Sequence, residues 1–161
     1  IISEAGDTPV FLDPVSTSYA RKVRHLVGGL SCIKPNRIEL GVLADMDTDT
    51  PERVEAACAE LLARGVRRVA VSLGERGCYY ADAEGRRIQR ALRPVELMAN
   101  ANGAGDAFMA GLVYGSVNGL DADESISFAL GAGALSVSSE LTINPAMSVE
   151  NVRSLLEENG R

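Results

Sequence analysis

The chain has 161 residues, 46% of them hydrophobic and 24% charged, and a net charge of −6. That length suits one domain with a substantial core, and the acidic balance excludes a nonspecific hold on nucleic acid or anionic lipid, which needs clustered Lys and Arg. No run is long and apolar enough to span a bilayer, no N-terminal stretch has signal-peptide architecture, and Cys32, Cys58 and Cys78 lack the paired spacing of a zinc or redox motif, so three buried thiols in a reducing cytoplasm are expected.

In chain order, residues 1–8 read as the tail of an earlier element and a turn at Gly6-Asp7. Val10-Phe11-Leu12 is a short apolar strand of a parallel sheet, buried on both faces and ended by Asp13-Pro14. Asp13 then sits at the carboxyl edge of the sheet, where open α/β sheets bind ligands, or else caps the following turn. Helical spacing of Ala20, Val23 and Val27 predicts a helix over 17–27, stopped by Gly28-Gly29. His25, the only histidine, reads as a surface residue of that helix, with no carboxylate partner nearby in the sequence.

Cys32-Ile33 is a second strand leading into Lys34-Pro35-Asn36-Arg37-Ile38-Glu39. Asn followed three residues later by Glu predicts a capping box at a helix start. Asp45-Met46-Asp47-Thr48-Asp49 lacks the glycine and the later glutamate of a calcium loop and reads as a solvated linker. Thr50 as cap and Pro51 at the first position open a helix with Val54, Ala57, Cys58, Leu61 and Leu62 on one face, ended by Gly65. Residues 68–73 form a third strand, so strand, helix and strand predict a parallel sheet whose ligand edge opens at Gly74-Glu75-Arg76-Gly77. Residues 78–81 and 87–89 flank a turn, as in a hairpin. Tyr79 and Tyr80 point to opposite faces there and make no stacking platform for bases.

Glycine, charge and helix onset coincide at Asn102-Gly103-Ala104-Gly105-Asp106-Ala107-Phe108. Gly103 and Gly105 allow a turn that presents successive N–H groups, and the alanine-rich helix predicted over 104–117 adds the positive end of a dipole. Such a start stabilises a phosphate. Asp106, in the first turn, would repel that phosphate unless it takes a proton from an attacking hydroxyl; the alternative is a carboxylate that only complements the dipole. Asp121 with Glu124 opens the next helix, with Ile126, Leu130, Gly133 and Val137 on one stripe. Gly131 and Gly133 cost that helix roughly 1 kcal/mol each in propensity, which close packing on the helix holding Gly111 and Gly115 would offset. A break at 141–145 precedes a last helix over 148–158.

The run from Asn102 to Gly111 resembles the C-terminal signature of the ribokinase, or phosphofructokinase-B, family of sugar and nucleoside kinases. Asp13-Pro14, Lys34 to Glu39 and Ser72-Leu73-Gly74-Glu75-Arg76-Gly77 are similar to family motifs in the same order. Asp13-Pro14-Val15-Ser16 and Lys34-Pro35-Asn36-Arg37 look most like the pseudouridine kinases within it. The resemblance implies an α/β, ribokinase-like three-layer sandwich with a mostly parallel sheet flanked by helices, of which residues 1–161 form a single C-terminal, nucleotide-binding portion; the N-terminal half with the lid is absent, and a start at Ile1 fits a fragment. It also implies ATP-dependent phosphoryl transfer to a sugar or nucleoside. Asp106 is then the base, Gly103, Ala104 and Gly105 donate N–H groups to the transferring group, and Asn36 with Glu39 places Mg2+. Ser72, Leu73, Gly74, Glu75 and Gly77 contact the nucleotide's phosphates and ribose, and Asn144 lies near the adenine.

One departure is Asn100-Ala101, where the family commonly has Asp-Thr to help bind a monovalent cation; potassium activation is therefore in doubt. The expected partners are a small-molecule acceptor, with no nucleic-acid polymer and no membrane, and a homodimer is one assembly open to the intact protein. The rival class is a noncatalytic or truncated ligand-binding or regulatory module of the same fold. A dinucleotide-dependent oxidoreductase fits less well, since no glycine fingerprint follows the first strand.

Overall fold

The computed structural model describes residues 2–93, 102–141 and 143–160. Among the described residues five strands lie in chain order in one sheet: β1 (Phe11–Leu12), β2 (Cys32–Ile33), β3 (Arg68–Ser72), β4 (Cys78–Asp82) and β5 (Arg87–Arg90). β1 pairs with β2 and β2 with β3 in parallel, in the register Phe11 to Cys32 and Ile33 to Val69. β4 returns antiparallel to β3, Ser72 opposite Cys78. The helices are α1 (Thr17–Val23), α2 (Arg37–Ala44), α3 (Pro51–Ala63), α4 (Ala104–Val117), α5 (Ala122–Val137) and α6 (Val149–Asn159). This is the expected α/β arrangement. The chain divides into two compact units, the first Ile1–Gly74 with Cys78–Gln89, the second Glu75–Gly77 with Arg90–Arg161.

In the first unit local chemistry sets the helix starts. Thr50 Oγ1 accepts from Arg53 N at 3.4 Å ahead of α3, whose Val54, Ala57, Cys58 and Leu61 are buried. Leu30, Ile33, Leu40, Leu61, Val69 and Val71 belong to the core they enter. β1 is two residues long and half-buried rather than buried on both faces; the Arg68 guanidinium covers the Phe11 ring, 5.4 Å from its centroid. α1 ends at Val23, four residues before the expected stop. There Leu26 N bonds Val23 O and Leu30 N bonds Val27 O, so the chain tightens into turns and Val27 reaches the core from one of them, 1% exposed. Close approach to the end of α3 forces this: Gly29 N donates to Gly65 O at 3.1 Å, and a Cβ on Gly28 would lie 3.0 Å from Arg64 O.

Cys32, Cys58 and Cys78 are free and buried, as expected. Burial pushes the Cys32 and Cys58 thiols up to about 12 and raises that of Cys78, so all three stay protonated and unreactive. His25 is exposed and accepts from Arg24 Nε at 3.2 Å. Asp47 and Asp49 are also exposed, and both face the Arg53 guanidinium. None of the helices in the described residues is long and apolar enough to cross a membrane.

The second unit is built on α4 against α5. A Cβ on Gly111 would stand 2.5 Å from Ala129 Cα, and one on Gly115 would strike Ser125. The Tyr114 and Phe128 rings stack with centroids 4.3 Å apart. Of the two glycines expected to meet α4, Gly133 does, where a Cβ would lie 3.4 Å from Ala104 O, while a Cβ on Gly131 would meet Val152 and Leu156 of α6 at 3.0 and 3.1 Å. Ile126 and Val137 are buried as expected, but so are Phe128, Ala129, Ala132 and Ser136, because α5 is covered on two sides and no single stripe describes it.

Asp121 Oδ1 accepts from Glu124 N at 2.8 Å, and Glu124 Oε2 accepts from Asp121 N at 3.2 Å. The box predicted at α5 thus forms in full. Asp121→Ala should lower the unfolding free energy by about 1 kcal/mol, read as a lower urea midpoint at unchanged slope.

Candidate functional site

Within the first unit, the chain leaves β2 through Lys34 and Pro35 and starts α2 at Asn36. Asn36 Oδ1 accepts from Glu39 N at 2.9 Å, and Glu39 Oε2 accepts from Asn36 N at 2.9 Å. This satisfies two of the orphan donors at the helix start and fixes both side chains. Glu39 is 4% exposed, whereas Asn36 is exposed. The amide NH2 of Asn36 and Oε1 of Glu39 have no hydrogen-bond partner among the described residues. Asn36 also forms a parallel bridge with Ser72 at the end of β3, and Ser72 N donates to Pro35 O at 3.0 Å. Asn36, Glu39, Ser72, Leu73 and Gly74 therefore share the carboxyl edge of the sheet.

A 3-10 turn over Gly74–Arg76 follows, with Gly74 at φ +63 and Gly77 at φ +75. Both need the left-handed freedom of glycine. A Cβ on Gly77 would strike Arg90 O and lie 2.6 Å from Ala91 Cα. Glu75 and Gly77 group with the second unit, Ser72 to Gly74 with the first.

In the second unit Gly103 is the N-cap of α4, left-handed at φ 84 and ψ −10, without a side-chain cap. The first helical bond runs from Ala107 N to Gly103 O at 2.9 Å. The N–H groups of Ala104, Gly105 and Asp106 stand ahead of it, at the positive end of a 14-residue helix. Gly105 lies inside the first helical turn, so of the two glycines only Gly103 has the positive φ. Gly105 and Asp106 are exposed. Free amides at such a helix start can hold an anion, and the Asp106 carboxylate stands in the same turn.

Asn144 is 7% exposed and bonded on every side. Its Nδ2 donates to Leu135 O at 2.6 Å and to Ser138 Oγ at 3.3 Å, and its Oδ1 accepts from Ala146 N at 2.9 Å. The side chain joins the end of α5 to the turn before α6, so its amide is committed to the fold. Asn100 and Ala101 lie outside the described residues. Spacing alone does not announce one further pair: the Lys34 ammonium, 3.0 Å from Asp13 Oδ2, with only 5% and 19% of the two side chains exposed. The signal was a lysine following the apolar Cys32-Ile33.

Among the described residues no three His, Cys, Asp or Glu side chains gather as a metal shell. The Glu39 oxygen nonetheless fits a magnesium ion, which keeps several waters and leans on one or two protein oxygens plus substrate phosphates, and the Asn36 NH2, a donor, suits a phosphate oxygen beside it.

The order of strands and helices is that of an α/β protein, and the chain belongs to the pfkB family of carbohydrate kinases, whose model matches residues 1–149. Among individual relatives, the pseudouridine kinase of Escherichia coli (strain K12) is 38% identical over 158 residues, covering 98% of this chain and 50% of that protein. The chain thus spans half the length of that relative. The structure of Arabidopsis thaliana ribokinase complexed with ribose and ATP matches with a TM-score of 0.80 at 29% identity, over 92% of this chain and 47% of that one. Phosphofructokinase-2 from Escherichia coli, in complex with potassium, matches with a TM-score of 0.85 at 26% identity, over 99% of this chain and 51% of that one.

Proposed function

We propose that the chain is the nucleotide-handling portion of a kinase that transfers a phosphoryl group from ATP to a hydroxyl of a sugar or nucleoside, with pseudouridine the first acceptor to try. The observation that carries this is the start of α4, where the backbone amides of residues 103–106 precede the first helical bond and the Asp106 carboxylate is exposed among them. Asp106 takes the proton from the acceptor hydroxyl as it attacks. The amides of Gly103, Ala104 and Gly105 bind the equatorial oxygens of the transferring group and stabilise the charge that spreads over them. Asn36 and Glu39 would hold the magnesium, Glu39 through its carboxylate, and the ion would neutralise phosphate charge, while Ser72 to Gly74, with Glu75 and Gly77, line the nucleotide. Little covalent work is asked of the protein, because positioning and charge stabilisation lower most of this barrier.

A noncatalytic relative is the second reading, favoured by one fact: the capping box accounts by itself for the Asn36–Glu39 arrangement. It predicts nucleotide binding without a phosphorylated product.

The two share a first test. ATP with magnesium, at about a hundred times its dissociation constant, should raise the unfolding free energy by about 2.7 kcal/mol, several degrees in Tm at this size. Glu39→Gln should remove the magnesium-dependent part. No rise, either in this chain or in the full-length protein, would refute nucleotide binding, and a rise without phosphorylated product from the full-length protein would favour the noncatalytic reading.

A further inference from the structure

Lys34 is 4% exposed and carries its charge to Asp13 at 3.0 Å. Such a pair adds little net stability, since desolvating both ions offsets their attraction, and well-packed apolar replacements are often as stable. Stability is thus a poor reason to find one here, and its position is specific. Lys34 N donates to Leu12 O at 2.9 Å at the end of β1, and the next carbonyl, that of Pro35, accepts from Ser72 N at 3.0 Å at the end of β3. Asp13 uses its other oxygen, Oδ1, to accept from Val15 N at 3.0 Å. Val15 is left-handed at φ 62, a conformation that a β-branched side chain resists and that persists only where its surroundings over-determine it. One residue beyond Pro35 stands Asn36, whose reciprocal bonds with Glu39 begin α2. The ends of β1, β2 and β3 and the start of α2 thus form one connected set of bonds, with Lys34 belonging to each link or adjacent to it.

We propose that Lys34 and Asp13 are positioning residues of the phosphoryl-transfer site: their ion pair holds the turn after β1 against the turn after β2, so that the Asn36 amide and the Glu39 carboxylate are aimed before the nucleotide and its magnesium arrive. This rests on the kinase reading above. Glu39 is nearly buried and tied to the Asn36 backbone, so its carboxylate moves only as the 34–36 turn moves. Without the pair the fold survives and the turn relaxes. Metal binding and turnover then fall together, by the tenfold to hundredfold that losing a group behind a metal ligand typically costs.

The test uses the full-length protein carrying Asp13→Leu with Lys34→Met, an apolar replacement of the pair. The expected result is a Tm within about 5 °C of wild type, an apparent KM for magnesium raised about tenfold or more with a lower kcat, and a KM for ATP at saturating magnesium within about twofold of wild type. If that variant does not fold, Asp13→Asn with Lys34→Gln, which keeps a hydrogen bond and drops both charges, takes its place with the same expectations. An unchanged magnesium response overturns the proposal, as does a loss of kcat with the magnesium KM unmoved, which would mark a purely structural pair. A wild-type protein with neither turnover nor magnesium-dependent stabilisation by ATP refutes the kinase reading and the proposal with it. An active wild type with an unaltered variant refutes the proposal alone.

Discussion

Asp106→Asn in the full-length protein should lower turnover at least about a hundredfold and leave stabilisation by ATP and magnesium intact. Asparagine keeps the size and a hydrogen-bonding oxygen of aspartate but cannot accept a proton. The size of the effect separates the two roles open to a carboxylate in the first turn of a helix. If Asp106 only complements the dipole of α4, its loss costs about 0.3–1 kcal/mol of stability and leaves turnover untouched. If it is the base, the rate collapses while the fold barely notices. Asp106 is exposed, so the substitution opens no cavity and strands no buried partner. Steady-state assays with pseudouridine and ribose as acceptors, set beside a urea melt, read both quantities. Near-normal turnover would end the assignment.

The largest expected loss of stability is at Gly77. Gly77→Ala requires an L-residue at φ +75, a cost of about 1–3 kcal/mol. It also drives a methyl group into Arg90 O and to within 2.6 Å of Ala91 Cα. These are backbone atoms, which cannot turn aside as a side-chain tip would, so overpacking adds about another 1–3 kcal/mol. Gly85 is the control: its φ is +92, but a Cβ there meets nothing within 4 Å, and Gly85→Ala should show the strain alone. If both variants lose the same free energy in urea, the close approach of the 90–91 backbone to Gly77 is wrong.

Legibility in the sequence followed the range of the interaction. The bounds of α4, the boxes at Asn36 with Glu39 and at Asp121 with Glu124, and the cap at Thr50 all lie where the sequence places them, because each depends on residues a few positions apart. The end of α1 was not legible, since it is set by Gly29 meeting Gly65 across the fold. Nor was the partner of Gly131, which depends on where α6 lies. At the candidate site, Glu39 and the 103–106 turn were visible as local patterns, and the Asp13 cap over Val15 N was one of two readings of that residue. The Lys34 ion pair left only a lysine after an apolar strand as its trace, because Asp13 is 21 positions away and only the parallel pairing of β1 with β2 brings the two together.

The contact between Gly111 and Ala129 has a consequence for alignment. Five residues separate Asp106 from Gly111, about 7.5 Å along the axis of α4. A screw of α4 by a single residue, about 1.5 Å of rise with about 100° of turn, would carry Ala110 or Leu112 onto Ala129, where not even a methyl group fits. The missing side chain is therefore an indexing notch. It gives α4 one permitted axial setting on α5, and the height at which the Asp106 carboxylate stands in its unit is decided more than a turn away, by a glycine packed on α5.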